Sequence, residues 1–312
     1  MRVLITGISG FVGSHLAELC LKKGDEVYGA IRHRSNLETI EHIKNKVKLF
    51  ECELTDLTNV KDMIDKVKPD KIFHLAAQSF VPTSWESPVD TLTNNIVSEL
   101  NILEAVRELV PECKIQIAGS SEEYGNPISE PMTEDHPLNP LSPYGVSKVT
   151  QDKLACQYAR SYGLKIVVTR GFNHTGPRRG AEFVCSTFAK QIAEGKKMKV
   201  GNLDAIRDFT DARDMVRAYY MALKSDKIEY GVPYNICSGK GIKIQNILDM
   251  LIEISGKKIK VEQDPDRMRP SDIHTLIGDC SKFRKITGWK PEITFGKTLR
   301  DIYNYWKLKI NE

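Results

Sequence analysis

The first twenty-two residues constrain the architecture more than any other stretch. Met1-Arg-Val-Leu-Ile-Thr6 is a short apolar run rich in β-branched residues, and it passes directly into Gly7-Ile-Ser-Gly10-Phe-Val-Gly13. Beyond that turn, Phe11, Val12, Leu16, Leu19 and Leu21 recur at helical spacing. Strand, glycine turn and helix in succession form the context of a dinucleotide fingerprint, here spaced G-x-x-G-x-x-G rather than G-x-G-x-x-G. Gly7 permits a tight turn, Gly10 lets backbone approach a pyrophosphate, and Gly13 lets the helix pack close to the sheet. The helix N-terminus adds free N–H groups and a positive dipole end. With Phe11 and Val12 between them, these glycines are the first candidate cofactor contacts.

The pattern continues as alternating strands and helices. Strands are expected at 3–6, 26–31, 47–51, 71–75, 114–118 and 165–169, with long helices at 90–109 and 143–162. Repeated β-α-β units with right-handed crossovers build an α/β, Rossmann-type doubly wound parallel sheet, whose ligand crevice lies at the carboxyl ends of its strands. After Thr169 the pattern breaks into short segments punctuated by Gly and Pro, with further helices expected at 211–223, 244–254 and 298–307. The expected division is a dinucleotide-binding domain at 1–170. Residues 171–312 would form mainly a smaller α/β substrate lobe, with segments crossing back to the main sheet.

Composition narrows the classes of function. The chain has 41% hydrophobic and 28% charged residues and no apolar run long enough to span a membrane. A net charge of +4 is too small and dispersed to indicate a nucleic-acid partner. The seven cysteines include no C-x-x-C, which indicates reduced thiols in a cytoplasmic protein and no metal site.

Two further clusters carry chemistry. In Ser142-Pro-Tyr144-Gly-Val-Ser-Lys148, a helix beginning at the proline places Tyr144 and Lys148 on one face. An ammonium beside a phenol favours the phenolate, which can take a proton from a sugar hydroxyl while hydride leaves the same carbon. The second strand ends Ala30-Ile-Arg32-His-Arg34-Ser35-Asn36, without the carboxylate that would select NAD. Arg32, Arg34 and Ser35 could hold a 2′-phosphate, which favours NADP(H) over NAD. Small residues in Leu75-Ala76-Ala77-Gln78 would let backbone lie against the nicotinamide ribose.

Together with His74–Gln78 and Ser120-Ser-Glu-Glu-Tyr-Gly125, these segments resemble the extended short-chain dehydrogenase/reductases that act on nucleotide sugars. Phe172–Gly180, Phe183-Val184, Gly201–Asp208 and Arg269-Pro-Ser-Asp272 narrow the resemblance. It points to the GDP-mannose 4,6-dehydratases and the related GDP-4-keto-6-deoxymannose reductases, and it covers nearly the whole chain. The resemblance implies Tyr144 as the base for the O4 proton and Lys148 as the ribose-binding lysine that lowers the tyrosine pKa. It implies Ser120 as an O4 hydrogen-bond partner and Glu122 as the carboxylate that moves the C5 proton. His174 and Arg179 fall at cofactor contacts. Gln78, Ser79, Ser121, Asn173, Phe183, Val184, Lys190, Asn202, Arg207 and Arg269 fall on the substrate side. Glu123 is expected to be structural.

The implied reaction is an NADP(H)-dependent dehydration of a GDP-hexose to the GDP-4-keto-6-deoxyhexose, within a homodimer or homotetramer. Gln78-Ser-Phe-Val81 and Pro177-Arg-Arg-Gly180 lean toward the dehydratases. Ser120–Gly125 and Arg207-Asp-Phe-Thr-Asp211 also suit the reductases, and a non-catalytic nucleotide-binding regulator is the third alternative.

Overall fold

A computed structural model describes residues 1–195, 197–264 and 273–311. Its first six strands are β1 (Arg2–Thr6), β2 (Glu26–Ile31), β3 (Lys48–Glu51), β4 (Lys71–His74), β5 (Lys114–Ser120) and β6 (Lys165–Gly171). Three short strands follow, β7 (Asn173–Thr175), β8 (Met198–Val200) and β9 (Ile206–Asp211), and then β10 (Pro233–Ile236). Strand order in the main sheet is β10-β6-β5-β4-β1-β2-β3, with every pairing parallel. Winding reverses at β1, which pairs β2 on one side and β4 on the other, and this opens a crevice at their carboxyl ends.

A parallel sheet survives only if both faces are covered, which explains why its strands are apolar almost throughout. The helices are α1 (Phe11–Lys22), α2 (Leu57–Val67), α3 (Val81–Glu86), α4 (Pro88–Leu92), α5 (Ser98–Leu109) and α6 (Pro143–Tyr162). They continue with α7 (Val184–Glu194), α8 (Ala212–Lys224), α9 (Ile244–Ser255), α10 (Ser281–Thr287) and α11 (Phe295–Asn311). Val3, Ile5, Leu16 and Met215 belong to the core on one face, and Leu4, Ile64, Ile102 and Ile166 to that on the other. Full burial of each such side chain stabilises by about 1.5–3 kcal/mol. A third cluster of buried side chains gathers α7, α9 and α11.

Two expectations need correction. The single helix at 90–109 is interrupted by a π-helical turn over Thr93–Val97, because Asn95 there is drawn into bonds with Gln78 and Ser147. The segment after Phe183, read as irregular, forms α7. Cys185, Phe188, Ala189 and Ile192 are a buried stripe at helical spacing that packs on α9 and α11.

Candidate active site

One hydroxyl fastens the switch point. Thr6 Oγ1 accepts from the Leu75 and Ala76 N–H groups at 3.1 and 3.2 Å, so its hydrogen is directed to His74 Nδ1 at 3.0 Å. The ring proton of His74 therefore sits on Nε2. Burial and the Lys148 charge lower the His74 pKa to about 3, so the ring stays neutral. This joint sets the path of Leu75-Ala76-Ala77 along the cleft.

The glycine turn is shaped by contact. Gly7 has φ +69°, and a Cβ at Gly13 would collide with the Gly7 carbonyl. The start of α1 thus lies hard against the turn with its N–H groups open. At the next strand end, Ser120 begins a one-turn helix. Its Oγ accepts the Glu122 N–H at 3.2 Å, while its own N–H donates to Glu123 Oε1 at 2.6 Å. Glu123 is buried beneath the cleft, 3.2 Å from Arg170 Nε, and its pKa is raised to about 8 by burial and Asp152. Glu123 holds the turn and Glu122 lines the cleft.

Ser142 caps α6 by accepting the Gly145 N–H at 3.0 Å, and Pro143 occupies the first turn. Any side chain at 145 would strike the Glu122 carbonyl, so α6 approaches the Ser120–Glu122 turn at backbone distance. Tyr144 and Lys148 are both buried, with the Lys148 Nζ 5.9 Å from the Tyr144 ring centre and donating to Ala118 O at 2.9 Å. The expected depression of the tyrosine pKa is reversed. Burial pushes the phenol up to about 12, opposed by the Ser120 hydroxyl and the Arg179 charge and reinforced by Glu122 and Glu123. Burial also lowers Lys148 to about 8, against the pull of Glu99 and Glu123. A low-dielectric site disfavours both charged forms, and sequence spacing says nothing about that term.

The cleft has a volume of about 710 Å³. Around it stand Gly7, Gly10, Phe11, Val12, Gly13, Arg32 and Ser35 from the β1 and β2 ends, and Leu75 through Ser79 from the β4 end. Ser120, Ser121, Glu122, Tyr144, Lys148, Asn173, His174, Arg179, Phe183 and Val184 line it as well.

Residues 4–302 match the family model for GDP-mannose 4,6 dehydratase. The chain belongs to this family. It is 36% identical to GDP-mannose 4,6 dehydratase 2 of Arabidopsis thaliana, over 95% of this chain and 84% of that one. It is 32% identical to a GDP-6-deoxy-D-mannose reductase of Pseudomonas aeruginosa, over 100% of this chain and 99% of the other. Among solved structures, RMD from Pseudomonas aeruginosa complexed with NADPH superposes with a TM-score of 0.85 at 30% identity. That match covers 99% of this chain and 100% of that one.

Within this family member, several expected residues lie away from the cleft lining. Arg34 is exposed at φ +58° and contributes nothing to it. Lys190, on α7, stands 4.0 Å from Glu194 and 5.4 Å from the Trp306 ring centre. Asn202 accepts the Asp204 N–H at 2.9 Å, and Arg207 donates to Ile206 O at 2.9 Å. Arg269 lies outside the described residues. Gln78 lines the cleft, but its amide is spent on Phe80 and Thr91.

Arg179 lines the cleft with one buried nitrogen left unpaired. Its guanidinium carbon stands 3.3 Å from the Phe183 ring centre and 4.9 Å from that of Phe11, and its Nε is buried without a partner. Burial lowers its pKa to about 10, which still leaves a cation. His174 stacks on Phe11, donates its Nδ1–H to Phe172 O at 3.0 Å, and is lowered to about 4 by burial and Arg179.

Sequence reasoning missed Asn95, which clamps both backbone groups of Gln78 and binds Ser147 on α6. It also missed Tyr219, whose buried phenol lines the cleft floor near Tyr144. The paired Asn94-Asn95 signals a helix irregularity; nothing local signals Tyr219.

Proposed function

We propose that this protein is an NADP(H)-dependent GDP-hexose 4,6-dehydratase. GDP-mannose is the default substrate, with a heptose or an acetamido sugar as alternatives, and the product is the GDP-4-keto-6-deoxyhexose. The observation that carries this reading is Glu122 in the same cleft as Ser120 and Tyr144, close enough to raise the phenol's pKa. Reduction of a ketone needs the phenol and lysine alone; elimination of water also needs a carboxylate that moves a proton.

The residues fit an NADP(H) cofactor. The glycine turn leaves no room for a Cβ at Gly13, and the orphaned Arg179 Nε seeks an acceptor. Arg32 and Ser35 stand together at the rim, with the Ser35 hydroxyl accepting the Arg32 N–H at 3.0 Å. Gly7–Gly13, Arg32, Ser35, Leu75–Ala77, Lys148, His174 and Arg179 would hold the cofactor, and the lobe within 171–312 would hold the GDP moiety. When bound, the nicotinamide supplies the hydride acceptor for C4 and later the hydride donor for C6.

Tyr144 acts from its phenolate form, which the Ser120 hydroxyl and the Arg179 charge favour against burial, and takes the O4 proton while Ser120 binds that oxygen. The resulting ketone acidifies C5–H, and Glu122 removes that proton and delivers it to the departing C6 hydroxyl, acting as base and then acid. The proton collected by Tyr144 is formally returned to C5, so the sugar loses one water and the cofactor ends as it began. Lys148 orients the ribose and Arg179 supports negative charge at Tyr144.

Purified protein incubated with GDP-mannose and no added reductant should form a 4-keto sugar, detected by its absorbance in alkali, without net NADPH change. The reductase is a second reading, because this chain spans 99% of the reductase's length and 84–91% of the dehydratases'. NADPH oxidation seen only with the GDP-4-keto-6-deoxyhexose would establish it; neither reaction would leave a binding protein. Self-association through α5 and α6 is supported by exposed Leu109, Val146 and Tyr162. A reducing cytoplasm is supported by seven buried free thiols, and no helix among the described residues is long and apolar enough to cross a membrane.

A further inference from the structure

Arg178 and Arg179 are neighbours in sequence but face different cavities. Arg179 lines the active-site cleft, whereas Arg178 lines a second cavity with His15, Glu18, Thr39 and His42. The chain turns between them through Arg178 at φ +73°, in the left-handed region that favours glycine. Such a conformation persists at an arginine only where its contacts over-determine it. Nη1 and Nη2 donate as a fork to Oε1 and Oε2 of Glu18 on α1, at 2.5 and 3.0 Å. Nη2 also donates to His15 Nδ1 at 2.6 Å, and Nη1 to Thr39 O at 3.3 Å. Because His15 Nδ1 accepts, its proton sits on Nε2 and is donated to Pro177 O at 3.0 Å, a second tie between α1 and the loop. Burial and the Arg178 charge lower His15 to about 4, so its ring is neutral. Glu18 is ionised: burial opposes that form, but the bonds from Arg178 and His42 hold its pKa below the usual carboxylate range. Arg213, at the same cavity, does not compete for Glu18, being paired with Asp211 and Asp301 at 2.7 and 2.8 Å.

We infer that Arg178 is a positioning residue: its fork on Glu18 fastens the 176–180 loop to α1 and thereby sets Arg179 in the cleft wall. Three segments of the cleft meet at this guanidinium. Helix α1 begins at the glycine turn and carries Phe11, whose ring centre lies 4.9 Å from the Arg179 guanidinium carbon. Thr39 follows the Arg32–Ser35 stretch, and its hydroxyl donates to Ser9 O in the glycine turn at 2.8 Å. The loop supplies Arg179 itself. Two ring faces flank the Arg179 guanidinium and its Nε has no partner, so what aims it is the backbone that Arg178 anchors. The inference rests on the proposed reading of Arg179 as a cofactor contact.

The test is NADPH affinity by fluorescence for wild type, Arg178→Gly, Arg178→Lys and Arg179→Ala, with thermal unfolding as the check on folding. Glycine adopts φ +73° without strain but has no guanidinium, so Arg178→Gly keeps the turn and removes the clamp. It should bind NADPH about tenfold more weakly, the value of one charge-assisted contact. Lysine keeps the strain and one charged bond to Glu18, so Arg178→Lys should recover most of that loss. Adding Arg178→Gly to Arg179→Ala should cost no further affinity, because Arg178 acts through Arg179. A glycine variant that binds as well as wild type would show that only the turn matters and would overturn the inference. So would a lysine variant as weak as the glycine one, or a further tenfold loss in the Arg179→Ala background. If Arg178→Gly does not fold, Glu18→Gln removes the clamp from the α1 side; it should show the same loss, absent beside Arg179→Ala, and unchanged affinity would overturn the inference. Wild type that binds no NADPH would remove the cofactor reading and this inference with it, whereas normal binding by wild type and glycine variant alike would remove the inference alone.

Discussion

At the carboxyl edge of the sheet, Thr6, His74 and Ser120 occupy neighbouring strand ends, and parallel register brings their loops into one cleft. In the C-terminal lobe, Lys190, Asn202 and Arg207 sit on a helix, a loop and the strand β9, held by contacts among α7, α9 and α11. None of those three side chains lines the cleft. Position in the first region follows from strand order, whereas position in the second follows from long-range packing. The proposed chemistry is therefore concentrated where geometry is over-determined, and the proposed recognition of the GDP moiety falls to the part whose shape depends on tertiary contacts.

Substitutions at the sheet edge should act on the chemical step. Tyr144→Phe should lower kcat by about 10²–10⁴-fold while NADPH affinity holds. A comparable kcat loss from Arg207→Ala would erase the distinction between the regions. Glu122→Gln should lower overall turnover within the same range yet still allow slow hydride transfer at C4, seen as transient NADPH fluorescence. Full turnover by that variant would take Glu122 out of the mechanism.

Substitutions in the lobe should act on binding. If Arg207 leaves Ile206 O to bind the diphosphate, a charge-assisted contact worth about 1.5–3 kcal/mol, Arg207→Ala should raise KM by about 10–100-fold with kcat nearly unchanged. An unchanged KM would detach Arg207 from the substrate. The smallest effect belongs at the rim: Arg32→Ala should narrow the preference for NADPH over NADH by about tenfold, the value of one exposed charged hydrogen bond. Equal loss for both cofactors would show that Arg32 does not read the 2′-phosphate.

Legibility in the sequence follows the same division. The glycine turn, the Tyr144/Lys148 spacing and the Ser120–Glu122 run could be read because each depends on a few consecutive residues at a strand end or helix start. Asn95 and Tyr219 could not, because what they touch is decided by how the turn over Thr93–Val97 and helix α8 pack on the sheet. The stripe Cys185, Phe188, Ala189 and Ile192 was visible, but the Gly and Pro punctuation of 176–180 hid it. The sign of the Tyr144 shift was also out of reach: Lys148 is four residues away in any helix, whereas the burial that pushes the phenol up to about 12 belongs to the folded cleft alone.

The claim that one site oxidises C4, eliminates water and returns the same hydride to C6 can be tested with GDP-mannose carrying deuterium at C4. Mass spectrometry of the 4-keto product should find the deuterium at C6, with the NADP(H) pool unlabelled and unchanged in redox state. Product lacking deuterium at C6, or label accumulating in free NADPH, would contradict the account.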